Sequence, residues 1–247
     1  MAGGKGTRLL PFTKVTNKHL LPVSNMPMIE WPIRLLLKAG ITDIMIVTGT
    51  EHAGDVFGYL GSGKEFGANF TYRIQDEANG IAGAVALAED FVGDDEFITV
   101  LGDNITWADA DGRLSIHEAA NALYLEQDMM DDYVARVFLK EVKDPERFGV
   151  AITEMEGPKR VMAVTEKSPV RISDQALMGI YHFMPSVFDV IRKLKPSARG
   201  ELEITEAIQH YIDNGDYVDY EVYDEFWSDA GTMESYKFVN AEANKLK

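Results

Sequence analysis

The stretch AGGKGTR at residues 2–8 sets glycines at 3, 4 and 6 beside Lys5, Thr7 and Arg8. Glycine lets backbone N–H groups come close to phosphate oxygens. Thr7 adds a hydroxyl donor, and Arg8 can grip an oxyanion with two parallel bonds. The spacing is not the dinucleotide fingerprint, because the third glycine of G-x-G-x-x-G, counted from Gly4, is missing and Leu9 stands there. It is not a Walker A loop, because Lys5 precedes Gly6 rather than Ser or Thr. A flexible N-terminal tail is the plain alternative. Lys18 heads the run KHLLPV and joins Lys5, Arg8 and Lys14 in a local set of cations. Taken alone, it reads as a solvated lysine.

Two carboxylates suit a divalent cation. Asp103 closes the run EFITVLGD (96–103), read as a buried strand, and ligands of open α/β sheets bind at such carboxyl ends. Asp229 stands in WSDAGT, ahead of a glycine turn and a helix. Magnesium at phosphate sites takes one or two carboxylates plus substrate oxygens. An Asx turn or a cap remains open for Asp103, and spacing does not bring the two together. TEKS (165–168) and RGELEIT (199–205) mix acid and base near turns. Glu201 and Glu203 suit sugar hydroxyls and Lys167 a phosphate, with surface ion pairs as the alternative. The five histidines show no metal-ligand spacing and read as structural. No G-x-S-x-G elbow is present, so no acyl-transfer site is expected.

These groups need a scaffold. Apolar residues recur at helical spacing over Pro27–Ala39 and stop at Gly40. Short apolar runs at Asp43–Gly49, Phe70–Gln75 and Glu96–Asp103 read as strands. HAGDVFGYLG and Gly80–Phe91 between them read as helices. Such alternation argues for βαβ units. A helix at IHEAANALYLEQ is followed by strand-like runs DYVARVFLKEV, GVAITEM, KRVMAVTE and ALMGIYHFM, with a turn at Glu156-Gly157. Helices at Val187–Leu194 and Ile204–Ile212, a strand YVDYEVYD and a helical tail from Met233 complete the pattern. The fold class expected is α/β: a Rossmann-like mixed, mainly parallel sheet flanked by helices, with an inserted substrate-binding subregion. One domain spans 1–247, with a Rossmann-like half over about 1–110, a half carrying the extra strands over about 111–232 and a C-terminal helix at 233–247.

The chain has 247 residues, no cysteine and a formal net charge of −16. That field repels nucleic acid and anionic lipid. An anionic small substrate would need local cations. Without cysteine there is no disulfide framework and no thiolate metal site, and cytoplasmic location is the default. No run approaches a membrane span, and no signal-peptide pattern opens the sequence.

Taken together, AGGKGTRL, NKHLLPV, GDN, DPERFGV, EK, GIY, RGELEIT and DAGT occur in the order seen in the sugar-1-phosphate nucleotidyltransferases. The sequence resembles most the short form of their glucose-1-phosphate thymidylyltransferase branch, from Met1 to about Tyr236. The resemblance implies that a nucleoside triphosphate (dTTP, or UTP) and a sugar 1-phosphate are joined with release of pyrophosphate, with Mg2+ as cofactor. It implies Arg8, Lys18 and Asp103 as catalytic residues. Gly3, Gly4, Gly6 and Thr7 would hold the triphosphate, with Gln75 and Gly80 at the base edge and Asp103 also in the nucleotide site. Asp103 and Asp229 would bind the metal. Gly149, Glu166 and Gly179 would meet sugar hydroxyls, and Lys167 and Arg199 the sugar phosphate. A homo-oligomer is implied, with no nucleic-acid or membrane partner.

The sequence departs from the family at several points. Members begin with a hydrophobic strand feeding the glycine loop, whereas only Met1 and Ala2 precede it here. A strand of about 5–6 residues is therefore expected to have been cut from this sequence, leaving unpaired backbone groups on its neighbours. Gly83, Thr106, Ser168 and Met178 stand where relatives carry other residue types, which opens the identity of the sugar more than that of the reaction. A UTP-dependent or other sugar-1-phosphate enzyme and a non-catalytic relative are the alternatives.

Overall fold

The computed structural model describes every residue except Lys5, 108–132, Met155 and Lys247. Lys5 and the helix expected at 116–127 lie outside the described residues. In chain order the elements begin with a small hairpin, β1 (Pro22–Val23) and β2 (Met26–Pro27), then α1 (Glu30–Lys38), β3 (Asp43–Gly49), α2 (Ala53–Leu60) and β4 (Asn69–Gln75). Next come α3 (Ile81–Ala86), α4 (Glu89–Val92), β5 (Phe97–Val100), β6 (Asn104–Trp107), β7 (Tyr133–Glu141), β8 (Gly149–Thr153), β9 (Val161–Glu166) and β10 (Gln175–Phe183). The remaining elements are α5 (Val187–Ile191), α6 (Ile204–Asp213), β11 (Tyr217–Val222), β12 (Phe226–Asp229) and α7 (Met233–Ala243).

The contacts divide the chain into two compact units interleaved in sequence. The described residues of Met1–Ala78, Leu101–Glu126 and Glu225–Lys247 form the first, and those of Asn79–Val100 and Gln127–Asp224 the second. This partition differs from consecutive halves meeting near residue 110.

In the first unit β3 and β4 pair in parallel, from Asp43↔Asn69 to Gly49↔Gln75. The helical face of α1 buries Ile33 with Ile29 against Ile44 and Ile46 of β3 and Val56 and Leu60 of α2. Each such side chain contributes roughly 1.5–3 kcal/mol on leaving water. α1 begins at Glu30 rather than Pro27, because Met26 and Pro27 pair with Val23 and Pro22. It ends where Gly40 takes φ +81°, a left-handed position that glycine enters without a Cβ clash. Ala2 is fully enclosed and bridges Thr48 in parallel, its N–H donating to Val47 O at 2.6 Å. Met1 O accepts from Gly102 N–H at 2.7 Å. Two residues thus make strand-like bonds immediately ahead of the glycine loop. β6 and β12 pair antiparallel, and a cluster of Val23, Met28, Ile105, Ala230 and Val239 packs α7 against them. Thr232 caps α7 reciprocally with Ser235.

The second unit holds a six-stranded mixed sheet. β7 pairs in parallel with β11 and antiparallel with β10, while β8 and β9 pair antiparallel. The other edge of β10 meets β8 at Ala176 and β5 from Ile180 to Phe183. Flanked on both sides, β10 is buried along nearly its whole length. Its register with β7 shifts between Leu177 and Tyr181, and Gly179, at φ +74°, lies inside that bulge. The helix expected over Gly80–Phe91 divides into α3 and α4, because the backbone tightens to an i to i+3 bond from Ala88 N–H to Val85 O. Among the described residues no helix is long and apolar enough to cross a membrane.

Candidate active site

The glycine loop is shaped by what lies under it. A Cβ on Gly3 would come within 2.8 Å of Gln75 Oε1 and 3.5 Å of Gly49 N, so the bare backbone of the loop lies close over the ends of β3 and β4 and leaves the Gln75 side chain its place. Gly6 has φ +63°, and a Cβ on it would lie 2.7 Å from Thr13 Cγ2. Thr13 Oγ1 holds this turn by donating to Gly6 O at 2.8 Å. A 3-10 turn follows over Thr7–Leu9, anchored by the buried Leu9, while Thr7 and Arg8 face solvent.

Lys18 opens a second 3-10 turn, Lys18–Leu20, capped by Asn17. Asn17 Oδ1 accepts from His19 N at 2.9 Å and sits 2.8 Å from His19 Nδ1. Burial, with Lys18 beside it, holds the His19 pKa well below its ordinary value. The ring is therefore neutral and structural, and with Asn17 it fixes the backbone from which Lys18 projects. The role of Asn17 escaped the sequence reading, although an Asn directly before a short helical turn is an N-cap signal.

Asp103 is not at the end of a strand. β5 stops at Val100, and Asp103 sits in a turn closed by Asn104 N–H on Leu101 O at 3.2 Å, just ahead of β6. The chain leaves the strand where Gly102 N–H turns to bond Met1 O. Lys18 Nζ meets Asp103 Oδ2 at 2.6 Å, with side chains only 11% and 15% exposed. Burial, the largest single influence, pushes the Asp103 carboxyl up, but the charge and hydrogen bond of Lys18, with His19 and a backbone hydrogen bond, together overcome it and hold the pKa far below the carboxylate range. Asp229 ends β12 opposite Asn104, a strand unseen in the sequence, and Ala230 N–H bonds Asp103 O at 2.9 Å. This pairing carries Asp229 to Asp103. A point one Cβ above Gly231 lies 3.0 Å from Asp229 Oδ2, 3.3 Å from Asp103 Oδ2 and 3.8 Å from Arg8 Nη2.

Four groups far apart in sequence, Arg8, Lys18, Asp103 and Asp229, therefore converge. Two hard carboxylate oxygens at one spot fit a hard divalent cation that completes its shell with water and substrate oxygens. Among the described residues no three acidic or histidine side chains form a fuller metal cage. Beside this centre is a cavity of about 370 Å³. Gly3, Gly4, Asn17 and Lys18 line one part of it, and Gln75 and Glu51 another. The buried Gln75 offers an amide to whatever enters.

Gly80 belongs to the second unit. It has φ +102°, and a Cβ on it would lie 2.5 Å from Leu202 O. Leu202 N–H bonds Asn79 O at 2.7 Å and Leu202 O accepts from Ala82 N–H at 3.1 Å, so this glycine permits a tight backbone crossing.

The second unit also gathers Glu166, Lys167, Arg199 and Gly149. Arg199 Nη2 lies 2.7 Å from Glu203, 3.1 Å from Glu166 and 3.1 Å from Glu201, and Lys167 Nζ is 3.1 Å from Glu166. The bond to Glu203 raises the Arg199 pKa. Burial raises the Glu203 carboxyl, but Arg199 and Ser197 overcome it and hold its pKa down. A Cβ on Gly149 would come within 3.1 Å of Glu166 Oε2 and 2.8 Å of Thr205 Cγ2. Thr205 Oγ1 in turn donates to Glu166 Oε2 at 3.2 Å. Lys167 holds φ +40°, unusual for a side-chain-bearing residue. The ion-pair alternative describes these contacts, and Gly179 stands apart in its bulge.

Comparison with known proteins places this arrangement. The model of the nucleotidyl transferase family matches residues 1–245. The chain is 38% identical over 246 residues to the low-salt glycan biosynthesis nucleotidyltransferase of Haloferax volcanii, covering all of this chain and 64% of that protein. It is 38% identical to the glucose-1-phosphate thymidylyltransferase of Streptomyces antibioticus, over 97% of this chain and 64% of that one. It therefore spans just under two thirds of the length of these two relatives. A Bacillus anthracis crystal structure holding sucrose, provisionally described as a glucose-1-phosphate thymidylyltransferase, superposes with a TM-score of 0.87 at 46% identity, covering 100% of this chain and 94% of that one. The glycine loop, the paired carboxylates and the two cations thus stand in a chain that belongs to the nucleotidyl transferase family.

Proposed function

We propose that this protein joins dTTP to α-D-glucose 1-phosphate, giving dTDP-glucose and pyrophosphate. The observation that carries the reading is the convergence of Arg8, Lys18, Asp103 and Asp229 beside a glycine loop and a cavity floored by Gln75. The names of relatives from Streptomyces antibioticus and Neisseria meningitidis support the choice of substrates.

In this reading the backbone of Gly3, Gly4 and Gly6, with Thr7, binds the triphosphate, and Gln75 and Gly80 face the base. Gly149, Glu166 and Gly179 bind sugar hydroxyls, while Lys167 and Arg199 exchange carboxylate partners for the sugar phosphate. A phosphate oxygen of the sugar attacks the α-phosphorus in line. The bond to the bridging oxygen breaks, and its electron pair leaves with pyrophosphate. Holding two reactants in line supplies roughly 7–11 kcal/mol of such a barrier. Lys18 steadies charge at the reacting phosphorus and Arg8 at the leaving pyrophosphate. Mg2+ held by Asp103 and Asp229 would neutralise phosphate charge there. No side-chain nucleophile is required. A cytoplasmic homo-oligomer completes the reading, its assembly tested by light scattering.

The experiment is pyrophosphate release from glucose 1-phosphate and Mg2+ with dTTP and UTP in separate reactions. Faster turnover with dTTP is expected. Faster turnover with UTP reassigns the base, and release with neither overturns the reading.

A further inference from the structure

One oxygen has two claims on it. Asp103 Oδ2 is the atom that Lys18 Nζ meets at 2.6 Å, and it is also the Asp103 atom that turns toward Asp229 above Gly231. We propose that Lys18 and the divalent cation compete for Asp103 Oδ2, so that cation binding releases the Lys18 ammonium into the nucleotide cavity. The inference rests on the reading of Asp103 and Asp229 as the cation's carboxylates.

The geometry gives the released ammonium a destination. Lys18 already lines the cavity. Its Nζ and Cε each lie 3.5 Å from where a side chain on Gly4 would begin, so the ammonium already stands against the face of the phosphate loop. The pair is largely enclosed, with side chains 11% and 15% exposed, and an unpaired charge is costly there. A divalent cation on Oδ2 satisfies the carboxylate but leaves the ammonium without its partner, and an entering phosphate supplies a new one. Cation and phosphate should therefore favour each other's binding, and by linkage the coupling is reciprocal. Lys18 in this role is a latch: it keeps Asp103 ionised and in place, and it vacates the oxygen when the cation arrives.

The test reads binding rather than turnover. Mn2+ titration of the full chain without nucleotide, followed by electron paramagnetic resonance, compares the wild type with Lys18→Met, Lys18→Gln and Asp103→Asn. Thermal melting shows which variants are folded, and either lysine variant suffices. Removing the competing charge from beside the oxygen is expected to tighten Mn2+ binding by roughly tenfold or more. In a second arm, acetylation of Lys18 in the wild type is followed by mass spectrometry with and without Mg2+. Release predicts labelling several-fold faster with Mg2+. Lysine variants that bind Mn2+ no tighter than wild type overturn the proposal. Unchanged Lys18 labelling under saturating Mg2+ also overturns it, because tightening would then reflect charge at a distance. Asp103→Asn that binds Mn2+ as well as wild type removes the cation site itself. Loss of Mn2+ in that variant with untightened lysine variants sinks the competition alone.

Discussion

Single atoms at the candidate site decide what a substitution does. Asp229→Asn removes one of two carboxylates aimed at the same point, and a fall of at least about 100-fold in pyrophosphate release is expected with melting little changed. Turnover at saturating substrate, read beside a melting curve, checks it. Gly6→Ala acts differently. It forces a Cβ to within 2.7 Å of Thr13 Cγ2 at φ +63°, which should cost about 1–2 kcal/mol in urea denaturation as well as activity. In the second unit Arg199 is shared by three glutamates, of which Glu203 has a side chain only 6% exposed. Arg199→Ala leaves that buried carboxylate without its cation, held by the Ser197 hydroxyl, so a loss of about 2 kcal/mol is expected. Arg199→Ala combined with Glu203→Gln should recover part of it, and a double-mutant cycle measures the difference.

At the scale of elements, short capped turns aim the catalytic side chains. Asn17 caps the turn that carries Lys18 and orders the ring of His19. Asn17→Ala is expected to cost about 1 kcal/mol of stability and to raise KM for the nucleoside triphosphate, since Lys18 loses its rigid base. Steady-state kinetics with dTTP varied would expose the effect. The pairing of β6 with β12 is the element-level event that makes a cation site, because it puts Asp229 opposite Asn104 in register.

The whole molecule has a built-in sensitivity to acid. His182 is buried in the sheet between Tyr133 and Glu96, and burial, then Arg136, lower its pKa to about 4. The unfolded chain has the ordinary value near 6.5 and so binds more protons between about pH 6.5 and 4. Stability must therefore fall as pH drops through that window, by up to about 3 kcal/mol from this residue. His19, also lowered by burial, contributes with the same sign. The depressed Asp103 carboxyl loses its contribution only at still lower pH. Denaturation midpoints across this range should decline for the wild type and flatten for His182→Gln, if that variant folds.

Much of this molecule was legible in the chain order of its residues. The apolar periods of Asp43–Gly49 and Ile204–Ile212 yielded β3 and, within one residue, α6, because burial on a fixed face dictates a period. The loop glycines, Lys18, Asp103 and Asp229 were visible as residue types fit for phosphate and metal. What sequence could not supply was distance. The apolar run 96–103 reads as a strand ending at Asp103, yet Asp103 lies in a turn, because the bond of Gly102 to Met1 O is made by residues remote in sequence. The short strand β12 has too few residues to show a period, so the meeting of Asp229 with Asp103 emerged only from its pairing with β6. The choice of Asp103 Oδ2 as the atom shared by Lys18 and the carboxylate pair is likewise a tertiary fact. Local propensity and burial period are written along the chain, whereas convergence depends on which remote segments pack together.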